Sequence, residues 1–273
     1  MSTPANYISE QQAAAAFTKQ SLIFDAQYAG NTTVQYKRSR VRAKLLQYLQ
    51  PGNHILELNA GTGDDAIFFA RQGYFVHATD IAAGMQEQLA AKVTAVGLDE
   101  RVSRELCSYT HLQSLKKKGP YDCIFSNFAG LNCTGELGKV LDSFDALLKP
   151  GGLVVLVVLP PFCLWETALV FKGKFRTALR RFFSAGGRKA AIDNALFTCW
   201  YYPAGFIRKR LQKKFEHLST EGLCTLVPPS YIEHFAENHP AWFKFLCKWE
   251  NRLKESWPWK YTGDYYIISF KKL

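Results

Sequence analysis

Apolar positions along the middle of the chain fall into short blocks separated by longer amphipathic stretches. HILELN (54–59), FVHAT (75–79), VSREL (102–106), YDCIFS (121–126) and LVVLVV (153–158) are runs of strand length, rich in β-branched and aromatic residues. Between them, Asp64–Gln72, Ala83–Ala95 and Glu136–Leu148 place apolar residues at helical spacing. Strand alternating with helix predicts a parallel sheet covered on both faces. Right-handed crossovers leave few topologies for such a chain. DYYIISFK (264–271) reads as a closing strand.

The flanks follow other patterns. Residues 9–26 read as a helix with Ser9 as N-cap and an alanine run behind it. Gly30–Thr33 reads as a break, and residues 34–49 as a second helix with Val34, Val41, Leu45 and Leu49 on its apolar side. Pro51-Gly52-Asn53 is a turn into the first strand. Beyond Pro160 the alternation stops. Residues 162–212 are aromatic, basic and expected to be helical, with breaks at Gly173, Gly186-Gly187 and Pro203. A strand within 214–227 and helices near 230–237 and 240–255 follow. The expected organisation is a helical lid (1–50), an α/β core (51–160 with 261–273) and a helical cap (161–260) inserted before the last strand.

Composition narrows the class. The chain has 273 residues, 48% hydrophobic and 21% charged, which is ordinary globular composition. Its longest apolar run, Leu153–Pro161, falls well short of the ~20 residues that cross a bilayer. The first residues lack the basic and apolar regions of a secretory signal. Seven cysteines form no CxxC pair, so no metal site is expected, and reduced thiols point to the cytoplasm. Charge is uneven. Residues 1–159 carry 15 basic and 14 acidic residues, whereas residues 160–273 carry 19 and 9. The basic half suits an acidic partner, a membrane surface or nucleic acid, and also a merely solvated surface.

The chemistry concentrates at Glu57-Leu58-Asn59-Ala60-Gly61-Thr62-Gly63-Asp64-Asp65, which leaves a strand and opens a helix. Gly61 and Gly63 allow a tight turn and close approach of a ligand to the backbone. A dinucleotide site would ask for a third glycine and a phosphate at the helix start. Here Asp64 and Asp65 stand where that phosphate would rest, which favours a ligand without phosphates. Asp80 ends the second strand, where a carboxylate can accept hydrogen bonds from ribose hydroxyls. Its other reading is a cap on the next helix.

The ordered series ILELNAGTGDD, ATDIAAGM, YDCIFSNFAGLN and LLKPGGLVVLVV resembles class I S-adenosylmethionine-dependent methyltransferases, of the small-molecule type. The likeness covers about residues 20–160 and the last strand. It implies a Rossmann-like, mostly parallel seven-stranded sheet with an antiparallel final strand and S-adenosylmethionine as cofactor. The Glu57–Gly63 loop, Asn59 included, would lie under the methionine part, Asp80 would hold the ribose, and Ile81 and Met85 would pack near the adenine. Ser108 and Tyr109 would flank the adenine, and Asn127 and Phe128 would face the methyl donor. Tyr28 would close over the cofactor from the segment FDAQY. Where the usual pattern has glycine, this chain has Asn59.

For the acceptor side, Glu166 and Asn127 are the candidates to act on the substrate, with Trp165, Trp200 and Tyr201 as further contacts. His111, His217, His234 and His239 are candidate bases by residue type alone. The aromatic cap (Trp165, Phe171, Phe175, Phe182, Phe183, Trp200, Tyr201, Tyr202) suits a hydrophobic or aromatic, even lipid-like, small molecule. The stretch FKGKFRTALRRFFSAGGRK (171–189) has three readings: an amphipathic surface helix, a peripheral contact with an anionic membrane, or a nucleic-acid surface. An RNA methyltransferase is therefore the alternative. It is disfavoured because SNFA follows the fourth strand where many nucleic-acid enzymes carry Asn/Asp-Pro-Pro-aromatic. A binding module without turnover and a nicotinamide oxidoreductase are the remaining classes; the missing third glycine argues against the latter.

Overall fold

The computed structural model describes the chain apart from residues 1–3, 183, 185, 193 and 194. Its centre is a seven-stranded sheet. β1 (His54–Leu58), β2 (Phe75–Asp80), β3 (Val102–Leu106), β4 (Tyr121–Ser126) and β5 (Leu148–Val158) run parallel in the order 3-2-1-4-5. The strand order reverses between β1 and β4, where α/β sheets open a crevice beyond their carboxyl ends. α3 (Asp64–Arg71), α4 (Ala83–Ala95) and α5 (Leu137–Leu147) are the intervening helices.

Residues adjacent along each buried strand serve opposite faces, as the pleat requires. Leu56, Ile124, Val154 and Ile268 pack under α5 with Phe144. Ile55, Phe125, Val155 and Ile267 pack on the other face with Phe69 and Leu89. Both faces are buried, so these strands read as continuous apolar runs rather than alternating ones.

Two helices precede the sheet. α1 spans Pro4–Ala29, and Ser9 lies inside it, so Ser9 is not the N-cap; its buried hydroxyl accepts from the Thr198 N–H. α2 spans Thr32–Leu46 and is capped by Asn31, whose side chain accepts from Val34 N–H at 3.0 Å, inside the expected break.

The largest departures lie beyond residue 160. Phe171–Lys189 is not one amphipathic helix. α6 (Leu164–Ala168), a 3-10 turn (Leu169–Lys172) ended by left-handed Gly173, and α7 (Phe175–Ala178) are all short. Phe183 falls outside the described residues. β6 (Arg188–Ile192) and β7 (Ala195–Cys199) then form an antiparallel hairpin where helix was expected. β7 is stabilised from outside its own sequence, because α1 covers it and the Phe17 and Phe197 rings lie 5.8 Å apart.

α8 (Ala204–Leu211) and β8 (Phe215–Leu223) belong to the core rather than to a cap. β8 pairs with β9 (Tyr265–Lys272), and β9 sits antiparallel between β5 and β8. The inserted parts are therefore 160–203 and 224–264, the second carrying α9 (Phe235–Asn238) and α10 (Pro240–Leu253). Among the described residues no helix is long and apolar enough to cross a membrane.

Candidate cofactor and acceptor site

The turn after β1 is built from left-handed residues. Asn59 (φ 49°), Gly61 (φ 57°) and Gly63 (φ 83°) bring the chain from β1 to the start of α3. Asparagine is among the few side chains that take this conformation at modest cost. Here it also cross-links two strand ends: Asn59 Nδ2 donates to the Asn127 carbonyl at 2.8 Å, and Asn59 Oδ1 accepts from the Ser126 hydroxyl at 2.6 Å. The departure from glycine thus has a structural reason. Gly63 is required, since a Cβ there would lie 2.7 Å from Leu89 Cγ. Gly130 likewise backs directly onto Asn59, where a Cβ would meet Cγ at 2.2 Å.

Asp80 lies beside this turn. Its Oδ2 accepts from Gly61 N–H at 2.9 Å and its Oδ1 from Ala82 N–H at 2.8 Å. Asp80 therefore fixes the glycine turn as well as the entry to α4, whose N-cap is Ala82. Burial raises the Asp80 carboxyl above its ordinary range, and the backbone hydrogen bonds from Ala82 and Gly61 partly offset this. Among the described residues no cation pairs with it; its hydrogen bonds come from the backbone N–H groups of Gly61, Ala82 and Ile81.

Glu57 is 2% exposed, and its Oε2 has no hydrogen-bond partner. Burial, followed by the nearby Asp65 charge, pushes its carboxyl well above the usual range. Asp64 and Asp65 differ sharply from it. Asp65 accepts from Arg42 Nε at 2.7 Å, Asn127 Nδ2 at 2.8 Å and Arg38 at 3.2 Å, and Lys92 lies 2.5 Å from Asp64. Burial opposes it, but the Lys92 hydrogen bond and the Arg38 charge hold Asp64 below its ordinary value. The two acids are thus matched by three cations and do not form the bare phosphate-repelling pair that the sequence suggests.

A cavity opens here, at the carboxyl end of the sheet. Glu57, Asn59, Gly61, Asp80, Ile81, Met85, Tyr109, Asn127 and Phe128 line it, as does Arg38. α1 covers it with Ala13, Phe17 and Phe24, which sequence reading missed; their i, i+4, i+11 spacing is a one-face stripe that could have revealed them. α1 is tied down at both ends. Asp25 accepts from the Thr62 hydroxyl at 2.5 Å and pairs with Lys92 at 2.7 Å. Buried Glu10 accepts from Ser108, Thr110 and Thr134 hydroxyls at 2.8–3.1 Å.

Other expected residues lie outside the lining. Tyr28 packs edge-on against Phe24 at 4.9 Å, one helical turn further along, so Phe24 holds the closing position. Ser108 is engaged with Glu10, behind the wall. Gly63 serves the turn rather than the surface of the cavity. The Asn127 amide is committed to Asp65 and to Phe128 N–H, which suits a positioning residue and not one that acts on an acceptor. Phe128 (φ 46°) and Ala129 (φ 60°) are consecutive left-handed residues without glycine, a strained arrangement characteristic of functional loops.

Glu166 is 1% exposed and lies in an ion-pair cluster instead of the cavity. Arg180 and Arg181 reach its carboxylate at 2.5 and 2.6 Å, and Arg181 also holds Asp264 at 2.7 Å. Despite burial, these hydrogen bonds and charges keep the Glu166 carboxyl below its ordinary range, so it is a poor base. Cys163 joins Glu166 and Asp264 within 4.8 Å, but the two arginines occupy the carboxylates a metal would need. Trp165 is half-buried, Trp200 packs against Gly135 and Gly187, and Tyr201 lies under the Arg181 guanidinium at 5.2 Å. None of His111, His217, His234 and His239 lines the cavity.

A reversing parallel sheet, a glycine turn and an acid at the next strand tip are the layout of an open α/β fold with a crevice beyond its strand ends. Residues 55–152 match the family model described as a methyltransferase domain. The chain is 26% identical over 110 residues to a tuberculostearic acid methyltransferase of Mycobacterium tuberculosis, a match covering 40% of this chain and 24% of that relative. The chain thus spans about a quarter of that relative's length. Among solved structures it resembles the [4+2]-cyclase SpnF (TM-score 0.62, 17% identity, 97% of each chain). It also resembles the 1,6-didemethyltoxoflavin-N1-methyltransferase of Burkholderia thailandensis (TM-score 0.58, 16% identity, 100% of this chain and 92% of that one), which was solved with S-adenosylhomocysteine. Residues 55–152 thus resemble a methyltransferase domain, and the solved structures share the chain's overall fold.

Proposed function

We propose that the cavity beneath α1 holds S-adenosylmethionine and that the enzyme methylates a small apolar or aromatic acceptor, a lipid-like one included. One observation carries this reading. Two buried acids that form no ion pair among the described residues, Asp80 and Glu57, face one cavity on either side of the glycine turn.

The residues fit the cofactor. The orphan Oε2 of Glu57 suits a ligand ammonium group, and the Asp80 carboxylate, which lines the cavity and forms no ion pair among the described residues, suits ligand hydroxyls. Ile81, Met85 and Tyr109 supply an apolar berth for a base. Bound there, S-adenosylmethionine supplies an electrophilic methyl group to an acceptor nucleophile. The chain's own part is to orient and to exclude water. Such positioning can lower a barrier by ~7–11 kcal/mol. Phe17, Phe24 and Phe128 close the cavity with apolar side chains.

The apolar part of the lining supports this acceptor class. Ala13, Phe17, Phe24 and Phe128 are apolar, and α1 roofs the cavity, which leaves little room for an RNA base still attached to its strand. The M. tuberculosis relative is named for a fatty acid, in keeping with an apolar acceptor. Calorimetry with S-adenosylmethionine is expected to give micromolar binding, followed by S-adenosylhomocysteine release with acyl or aromatic acceptors. A clean titration without heat would reject the cofactor assignment.

A further inference from the structure

α10 carries a surface that the cavity does not account for. Its inner side is fixed to the core. Buried Glu250 accepts the backbone N–H groups of Cys224, Thr225, Leu226 and Val227 at 2.8–3.0 Å and the Tyr36 hydroxyl at 3.0 Å. Phe243 packs on Tyr36 with ring centroids 6.0 Å apart.

The outer side is apolar and basic. Trp242, Phe245 and Trp249 are 63%, 49% and 39% exposed, and successive rings lie 5.7 and 6.1 Å apart, forming a continuous stripe. Lys244, Lys248 and Arg252, spaced i, i+4, i+8, form a parallel exposed stripe. Among the described residues none of the three has an acidic partner, and Arg252 lies over the Trp249 ring at 5.3 Å. The one acid of α10, Glu250, is turned inward.

We propose that α10 docks the protein on an anionic phospholipid bilayer, with the aromatic stripe in the headgroup boundary and the three cations among the lipid phosphates. Tryptophan side chains favour that boundary, being apolar with one polar edge. Lysine and arginine beside them bury their stems and keep their charges at the phosphates. Charge complementarity selects this occupant. A second copy of the chain docked through the same face about a two-fold axis would set the basic stripe against its own image. The whole 160–273 half carries 19 basic against 9 acidic residues, so the surrounding field favours an anionic surface.

The test uses the full chain with vesicles of phosphatidylglycerol and phosphatidylcholine in equal parts, pelleted at about 0.1 M salt where surface charge is only partly screened. Pelleting with these vesicles, absence of pelleting with phosphatidylcholine alone, and a blue shift of tryptophan emission are expected. K244Q/K248Q/R252Q is expected to weaken binding on the order of 100-fold, at about one kilocalorie per mole for each cation near the surface. W242S/F245S/W249S is expected to abolish the blue shift. Should the aromatic variant misfold, K244Q/K248Q alone, which removes only exposed charge, still reads the proposal. Protein left in the supernatant with anionic vesicles overturns it. So does wild-type binding by the glutamine variants, or loss of binding only in F171S/F175S. Tighter binding to single-stranded RNA than to vesicles, lost in the same variants, would assign the face to nucleic acid instead. Vesicle pelleting does not depend on cofactor binding, so a failed calorimetric titration and a failed pelleting assay reject different claims.

Discussion

Two groups of buried acids sit at the carboxyl end of the same sheet and meet opposite fates. Glu166 and Asp264 are clamped by Arg180 and Arg181, and the Glu166 carboxyl is held below its ordinary range. Glu57 and Asp80 form no close ion pair among the described residues, and burial raises both, with the Arg38 and Arg42 charges only partly offsetting it at Glu57. A fold that only needed stability would pair or remove such charges, because isolated buried carboxylates are costly. The first group therefore joins the segment after β5 to the start of β9. The second leaves hydrogen-bonding capacity open toward a cavity. Buried acid alone signals nothing; what faces it does.

That contrast is strongest at Asp80. Asp80→Ala removes an acceptor for two ligand hydroxyls and for Gly61 N–H. At about 1.5–3 kcal/mol for each charged hydrogen bond, cofactor affinity is expected to fall on the order of 10²–10⁴-fold by calorimetry. Asp80→Asn keeps an acceptor for Gly61 and should lose less. Unchanged affinity in the alanine variant would end the distinction drawn here.

Glu166→Ala strikes the paired group. Removing one partner of a buried ion pair costs about 3–5 kcal/mol. Arg180 is half exposed, so the lower end is expected, read as an earlier urea midpoint. Cofactor affinity of the folded fraction should stay within about threefold, since Glu166 does not line the cavity. A large loss of affinity at unchanged stability would reverse the two roles.

The pH dependence separates the groups with opposite signs. Glu166, with a lowered folded pKa, contributes stability above its unfolded value that disappears as pH falls through the folded one. Glu57, with a raised folded pKa, contributes stability at low pH that is lost as pH rises through the folded value. Cofactor-free Glu57→Gln should therefore melt above the wild type at pH 8, with the gap narrowing as pH falls. In the wild type, affinity for the cofactor ammonium should weaken as Glu57 takes up its proton. A flat calorimetric pH profile matching that of Glu57→Gln would remove Glu57 from the site.

Much of the core was legible beforehand. The bounds of β3, β4 and α4 agree with the apolar blocks, since strands buried on both faces leave uninterrupted runs that turn residues bracket. The Gly61–Gly63 turn and Asp80 were legible because φ > 0 and close backbone approach admit few residue types. The β6–β7 hairpin was not. RKAAI and ALFTC carry weak strand signals, and α1 stabilises them from some 180 positions away. Nor could spacing reveal that Arg38, Arg42 and Lys92 neutralise Asp64 and Asp65.

By itself the sequence determined a parallel α/β sheet, a glycine turn and an acid at the second strand tip, because each is a local demand on backbone shape or hydrophobic period. Tertiary structure alone decided which acids stay unpaired, that residues 204–223 complete the sheet, and that α1 roofs the cavity. Those outcomes depend on side chains far apart in sequence meeting in space, and burial and charge pairing are properties of that meeting.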